Sequence, residues 1–265
     1  AFWMAVGHVI LKEYFADKKT GYFVDYLKDN TDAPFLVTLE KDKDGNWGCG
    51  KLLRASQIEE TKNVENAEWK TFIFDAGSHS IRLPNGTIGF RWQKEKDKWN
   101  LKNRDGNNGQ MIDPVLSFID NHDEKVKVKL SDFTESTNDK FVFRELPVKK
   151  IKTIDGDVFV TTGFDLLMAQ YGVSRGLNGD FPTSYDDEVP FTPGWQEKFT
   201  GVKASVVINF ARQWARTAEL SHGKCSVIIG AGVNHWYHNN LIYRAPITVL
   251  MLTGCVGVNG GGLNH

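Results

Sequence analysis

The chain has 265 residues and a formal net charge of -1, from 32 basic and 33 acidic side chains. This length supports one large α/β domain or two smaller ones, and the balanced charge argues against a nucleic-acid-binding protein, which usually carries a basic excess. The 3 cysteines are far apart and lack a Cys-x-x-Cys pairing, so they predict no disulfide framework and no zinc or iron–sulfur site, and no apolar run reaches membrane-spanning length.

The first part of the chain predicts two helices. Apolar residues recur at helical spacing through residues 1–15, and a shorter amphipathic helix follows over residues 21–27 before Pro34 ends it. His8 lies in the first helix, where a hydrogen-bonded core histidine is favoured over a metal or ligand contact. The chain begins inside this helical pattern and ends in a glycine-rich loop, so we expect it to be a fragment of a longer protein.

The composition changes at Phe35, and residues 35–160 predict an antiparallel β-rich insertion. Strands are expected over residues 35–39, 69–74 and 87–92, and a solvent-facing loop over residues 93–110. The Asp155-Gly156 pair lies between two alternating runs, which is a strong signal for a β-hairpin.

Helical patterns return in the next part. A helix is expected over residues 162–172 with Gly172 as its C-cap, and an amphipathic helix over residues 204–218 whose inner face covers a sheet. The adjacent Asp186 and Asp187 could form a metal site or an acid–base pair. Such short polar stretches more often begin or cap a short helix, and we favour that interpretation.

The last forty residues carry the most informative pattern. Residues 225–229 predict a short buried strand, a turn through Gly230 and Gly232 follows, and a helix then runs to Gly254 and a second glycine-rich loop. Strand, glycine turn and helix form the repeating unit of doubly wound α/β sheets, whose ligands bind at the carboxyl ends of the strands. Two such loops around one helix suit a large anionic, nucleotide-like cofactor. A simple tight turn remains the alternative, because Asn234 and His235 stand where a dinucleotide fingerprint would place a third glycine.

Several of these parts occur in a fixed order that resembles a known family. They are Trp195, residues 199–202, 211–215, 230–235 and 252–254, and the glycines from Gly257 onward. The order is similar to that of the molybdopterin-guanine-dinucleotide oxidoreductases of the dimethyl-sulfoxide-reductase superfamily. Within that superfamily, further stretches resemble the catalytic alpha subunits of membrane-bound respiratory nitrate reductases: residues 5–13, 88–92, 98–101, 146–149, 183–187 and 234–238.

The resemblance implies a molybdopterin-oxidoreductase fold, with Rossmann-like segments around an antiparallel β-rich insertion. Residues 1–34 would form the helical end of one cofactor domain, 35–160 the insertion, and 161–265 a second, truncated cofactor-binding segment. The cofactor would be molybdenum bis(molybdopterin guanine dinucleotide). The 4Fe-4S cluster and the molybdenum ligand are expected upstream of Ala1, so no catalytic or metal residue is assigned in this chain.

The resemblance also implies a substrate and partners. The substrate would be nitrate, reduced to nitrite with electrons from quinol, and the partners an iron–sulfur beta subunit and a haem b gamma subunit at the cytoplasmic face of the cell membrane. Two alternatives stay open. One is a related molybdoenzyme acting on chlorate, selenate or nitrite, and the other is a non-catalytic α/β module.

The glycine-rich loops are the part of the resemblance that gives candidate site residues. Backbone N–H groups and side chains there would bind pterin or diphosphate oxygens. His235 and His238 are three residues apart and could form a metal pair, but no third ligand is close in sequence, so hydrogen bonding to the cofactor is favoured. The expected cofactor-binding residues are Gly230, Gly232, Asn234, His235, His238, Gly254, Gly257, Gly260, Gly261 and Gly262.

Overall fold

The structure, a computed structural model, describes residues 1–85, 103–132, 140–237 and 239–265. It shows a mixed α/β chain, as predicted, that divides into two compact units. The helical unit comprises Ala1–Leu27, Ser131–Lys140 and Met168–His265. The barrel unit comprises Lys28–Leu130 and Phe141–Leu167.

The strands of the barrel unit are, in chain order, β1 (Leu36–Lys41), β2 (Trp47–Leu52), β3 (Ile73–Asp75), β4 (Ser80–Arg82), β5 (Glu124–Ser131), β6 (Phe141–Thr153) and β7 (Gly156–Thr162). Strands β1, β2, β5, β6 and β7 form a closed five-stranded sheet. A second sheet pairs the short strands β3 and β4. The predicted hairpin at Asp155-Gly156 is confirmed, with Thr153 and Gly156 as the closing pair of β6 and β7.

Most of the strand pairs described in this barrel are antiparallel. Strand β2 meets β5 in the parallel direction at Trp47 and Val128, so the predicted antiparallel region is not antiparallel throughout. A core cluster fills this unit with aliphatic and aromatic side chains that are less than a tenth exposed. It includes Leu36, Leu53, Phe72, Phe74, Leu83, Phe118 and Val160.

Two local predictions in the barrel unit need correction. The strand expected over residues 69–74 is shorter, because Asn66 adopts a left-handed conformation with φ 56° and starts a 3₁₀ turn over Ala67–Trp69. The loop expected to face solvent over residues 93–110 contains Asp105, which is 3% exposed and lies 3.6 Å from the Arg82 guanidinium. Residues 86–102, which include the strand predicted over 87–92, lie outside the described residues.

The helical unit contains most of the helices and one small sheet. Helix α1 (Phe2–Ile10) continues into a π-helical segment (Leu11–Asp17). Helices α2 (Gly21–Asn30) and α3 (Gly163–Gln170) carry the chain between the two units. The remaining elements are α4 (Pro193–Thr200), α5 (Ala204–Ser221), β8 (Ser226–Ile228), α6 (Asn239–Leu252) and β9 (Gly262–Asn264).

Helix α5 was predicted with the right periodicity, but its partner is different from the one expected. Its aromatic side chains pack against Trp3 of α1, with ring centroids 5.6 Å away for Phe210 and 5.5 Å away for Trp214. The buried alanines of α5, at 211, 215 and 218, leave room for a close approach between helices. The helix therefore packs against a helix where we expected it to cover a sheet.

His8 and the paired acids have structural roles. His8 is 3% exposed, and its Nδ1 lies 2.5 Å from the Tyr171 carbonyl oxygen, as expected for a hydrogen-bonded core histidine. The Asp187 carboxylate accepts hydrogen bonds from the backbone N–H groups of Thr183 and Ser184, at 2.6 and 3.1 Å. These residues form a turn, so the expectation that they begin or cap a helix was wrong.

None of the helices among the described residues combines the length and the apolar character that a membrane span needs.

Candidate cofactor-binding site

Strands β8 and β9 are parallel neighbours joined through a helix. Val227 pairs with Leu263 and Ile228 with Asn264, and the connection runs through a 3₁₀ turn (Ala231–His235) and α6. Parallel strands joined in this way place their carboxyl ends at one edge of the sheet. The first glycine turn therefore follows β8 at the same edge where His265 follows β9.

The first glycine turn has an unusual property: no contact with the described residues requires its glycines. Neither Gly230 nor Gly232 has a positive φ, so both backbones suit any residue. A Cβ atom added at either position would meet no atom of the described residues within 4 Å. Open space in front of two glycines leaves the backbone accessible to a ligand.

The second glycine-rich loop differs in this respect, because its own conformation requires glycine. At Gly261 an added Cβ would lie 2.3 Å from the Cys255 carbonyl oxygen and 2.4 Å from that of Gly223. The other four glycines have φ values of 66°, 81°, 90° and 95°, in the left-handed region that favours glycine: Gly254, Gly257, Gly260 and Gly262. Their presence is explained by the fold of the loop, without a ligand.

Asn234 connects the ends of the two strands. Its Nδ2 lies 3.0 Å from Nε2 of His265, and its Oδ1 accepts a hydrogen bond from the Tyr243 hydroxyl. Its backbone oxygen also accepts from Nδ2 of Asn239, at 2.7 Å. The side-chain amide is therefore held in one orientation at the sheet edge. Neither Tyr243 nor His265 was predicted as a site residue, and the strand that His265 follows was not predicted from the sequence either.

The surface beside the first turn is strongly apolar. Ile228 is 81% exposed, Trp236 70% and Tyr237 88%. We expected residues 225–229 to form a fully buried strand, but only one face is covered: Val227 is buried whereas Ile228 faces outward. An exposed patch of this kind marks a surface for another molecule or another part of the protein.

Of the two histidines that follow β8, His235 lies among the described residues. His235 ends the 3₁₀ turn and is exposed, so its ring is accessible to a ligand. His238 lies outside the described residues, and its expected role stays a prediction. The described part of the chain holds no group of three or more His, Cys, Asp or Glu side chains that could bind a metal ion.

Two buried cysteines, Cys225 and Cys255, contact the second glycine-rich loop. Burial raises the pKa of the Cys225 thiol to about 11 and also raises that of Cys255. The Cys225 carbonyl accepts a hydrogen bond from the N–H of Gly262, at 3.2 Å. Thiols with raised pKa values carry little thiolate at neutral pH, so these two side chains fit a packing role next to the second glycine-rich loop.

Comparison with known proteins gives one consistent result. No family model matches the chain. The chain is 41% identical over 262 residues to the nitrate reductase alpha chain of Bacillus subtilis, and 43% identical over 273 residues to the respiratory nitrate reductase 1 alpha chain of Escherichia coli. A more distant relative, 25% identical over 266 residues, is the perchlorate reductase subunit alpha of Dechloromonas aromatica.

The alignments cover nearly all of this chain but only a small part of each relative. Each includes 99% of this chain but only 21% or 22% of the relative, so the chain spans about a fifth of the length of these relatives. The resemblance to the alpha chains of nitrate reductases, inferred above from short motifs, is therefore confirmed along nearly the whole of this chain.

Proposed function

We propose that this chain is a segment of a molybdenum-dependent nitrate reductase that reduces nitrate to nitrite. The observation that carries the proposal is the identity of 41% and 43% along 99% of the chain to two nitrate reductase alpha chains. The reaction consumes two electrons and two protons for each nitrate and releases nitrite and water. Within this chain, the role proposed is to hold the cofactor.

The first glycine turn is the part of the chain that best fits a pterin or diphosphate group. Gly230 and Gly232 leave the backbone open at the carboxyl end of β8, where ligands of doubly wound sheets bind. Asn234, oriented by Tyr243 and His265, would offer its amide to the cofactor at the same edge, with His235 beside it. When bound, molybdenum bis(molybdopterin guanine dinucleotide) supplies the oxygen-atom transfer and the redox chemistry.

The second loop has a supporting role in this proposal. Gly254, Gly257 and Gly260–Gly262 give the loop its shape, and the loop in turn sets the position of β9 and of His265. The ligand of molybdenum is expected in the rest of the full-length protein, together with the residues that hold the 4Fe-4S cluster.

The proposed organisation of the fold remains the one inferred from the resemblance. Residues 1–34 and 161–265 would belong to Rossmann-like cofactor domains, and residues 35–160 would be inserted between them. The parallel β8–α6–β9 unit supports the assignment of residues 161–265. The compact barrel unit, whose chain lies between the two ends of the helical unit, supports an insertion.

The partners and location are proposed on the same basis. Electrons would come from quinol through a haem b gamma subunit and an iron–sulfur beta subunit, at the cytoplasmic face of the cell membrane. One relative is named respiratory nitrate reductase 1 alpha chain, and this name supports a role in a membrane-associated respiratory complex.

The test uses the full-length protein that contains this chain. We expect it to purify with molybdenum and pterin, and to oxidise a reduced viologen dye when nitrate is added. A folded protein without molybdenum and without this activity would contradict the proposal and favour a non-catalytic module. A panel of nitrate, chlorate, perchlorate, selenate and nitrite tests the alternative substrates, which the perchlorate reductase relative makes worth including.

A further inference from the structure

Two tyrosines, one helical turn apart on α2, reach the start of the second glycine-rich loop. The Tyr22 hydroxyl donates a hydrogen bond to the Gly254 carbonyl at 2.7 Å, and the Tyr26 hydroxyl donates to the Val256 carbonyl at 2.9 Å. Residues four apart on a helix lie on one face, so a single helix face makes both contacts. These bonds join parts of the chain separated by more than 200 residues.

The contact at Tyr22 is close enough to restrict its neighbours. A Cβ atom added at Gly254 would lie 2.8 Å from Cε1 of the Tyr22 ring. One added at Gly223 would lie 2.6 Å from the Tyr22 hydroxyl oxygen and 2.1 Å from the Gly254 carbonyl oxygen. Glycine at both positions is therefore what lets the tyrosine approach the loop.

Both tyrosine hydroxyls keep the proton that their hydrogen bonds to the loop require. Burial raises the pKa of both Tyr22 and Tyr26 above the ordinary value of 10.0, and the buried Cys255 thiol contributes in the same direction. Both hydroxyls thus stay protonated across the physiological range and keep donating to the loop carbonyls. Thr253 and Cys255, the neighbours of Gly254 in the chain, are fully buried, so the start of the loop is packed as well as hydrogen-bonded.

We propose that Tyr22 and Tyr26 are positioning residues for the cofactor, which act through the second glycine-rich loop. This inference rests on the proposed function, because it assigns the tyrosines a role in holding the same molybdopterin group. The two carbonyls that they bind lie on either side of the buried Cys255, and the loop continues through the exposed Gly257 into β9. The carboxyl end of β9 lies beside the first glycine turn, so the position of the loop sets one side of the site.

The test replaces each hydroxyl by hydrogen in the full-length protein, as Tyr22→Phe, Tyr26→Phe and the double variant. Loss of one such hydrogen bond should speed local opening, and hence amide hydrogen exchange over residues 254–264, by about fivefold. The matched control is Tyr14→Phe, because the Tyr14 hydroxyl also donates to a backbone carbonyl, that of Arg212, at 3.3 Å. Release of pterin from the holoenzyme and the thermal midpoint are measured in parallel.

Faster exchange over residues 254–264 together with faster pterin release, both absent in Tyr14→Phe at a similar thermal midpoint, would support the inference. Unchanged exchange in the double variant would overturn it. Faster exchange with unchanged pterin release would also overturn it, since the tyrosines would then hold the loop without positioning the cofactor. If the unaltered full-length protein contains no pterin, the proposed function fails, and this result is distinct because it does not involve the variants.

Discussion

Replacement of Gly232 by valine shows whether this glycine is needed for ligand binding or for the fold. Gly232 has no positive φ, and an added Cβ would meet no atom within 4 Å among the residues that the structure describes. A valine there should leave the folded chain almost unchanged. It should still obstruct a cofactor that approaches the backbone of the turn, because the branched side chain occupies the open space in front of it.

The two effects differ in size. For the free energy of unfolding without cofactor we expect a change within about 0.5 kcal/mol, as for surface substitutions that disturb no contact. An obstructing side chain in a close-packed contact costs roughly 1–3 kcal/mol, which corresponds to roughly 5- to 150-fold weaker retention of the cofactor. The predicted result is therefore a stable protein that has lost much of its cofactor.

The assay measures molybdenum and pterin per mole of purified full-length protein, together with the urea-unfolding midpoint of the cofactor-free form. The matched control is Gly48→Val in β2, where φ is ordinary and the nearest atom to an added Cβ is the Glu40 carbonyl oxygen at 3.9 Å. Gly45 would be a poor control, since its φ of 84° makes any side chain strained. Wild-type cofactor content in Gly232→Val would refute the assignment of this turn to the cofactor.

Three further changes test the structure of the helical unit. Gly261→Ala, which brings a Cβ within 2.4 Å of two carbonyl oxygens, should lower the unfolding midpoint itself. Thr192→Ala removes the side-chain cap that accepts from the Trp195 N–H at 3.1 Å, and should destabilise the protein by about 1–2 kcal/mol in urea titrations. Burial opposes ionisation of Glu13, but hydrogen bonds from Arg212 and Tyr185 outweigh it and hold the Glu13 pKa below its ordinary 4.5. A lowered carboxyl pKa gives stability that is present above about pH 4.5 and is lost as pH falls further. Arg212→Met should therefore cost at most roughly 1 kcal/mol at pH 7, because the pair is partly solvent-exposed, and the difference should shrink in unfolding titrations towards pH 3.

The sequence predicted those features that depend on local pattern. The helices near residues 204–218 and 239–252 follow from apolar spacing, and the hairpin at Asp155-Gly156 follows from turn chemistry. Closure of the barrel could not be predicted in this way. It depends on pairs such as Trp47 with Val128, which lie far apart in the chain and carry no local signal.

The candidate site shows the same limit in more detail. Glycine-rich loops were visible in the sequence, but three different causes for a glycine look identical there. The structure separates a left-handed backbone at Gly257, a close carbonyl at Gly261 and an open surface at Gly232. The hydrogen bond from Tyr22 to Gly254 spans 232 residues, and no periodicity or motif could have indicated it.

The most direct test of the central claim is an experimental structure of the full-length protein with its cofactor. We predict a pterin or diphosphate group in van der Waals contact with the backbone of Gly230 and Gly232, within about 4 Å, and with the amide of Asn234 in hydrogen-bonding range. A cofactor bound elsewhere, with the first glycine turn facing solvent or another segment of protein, would contradict the assignment.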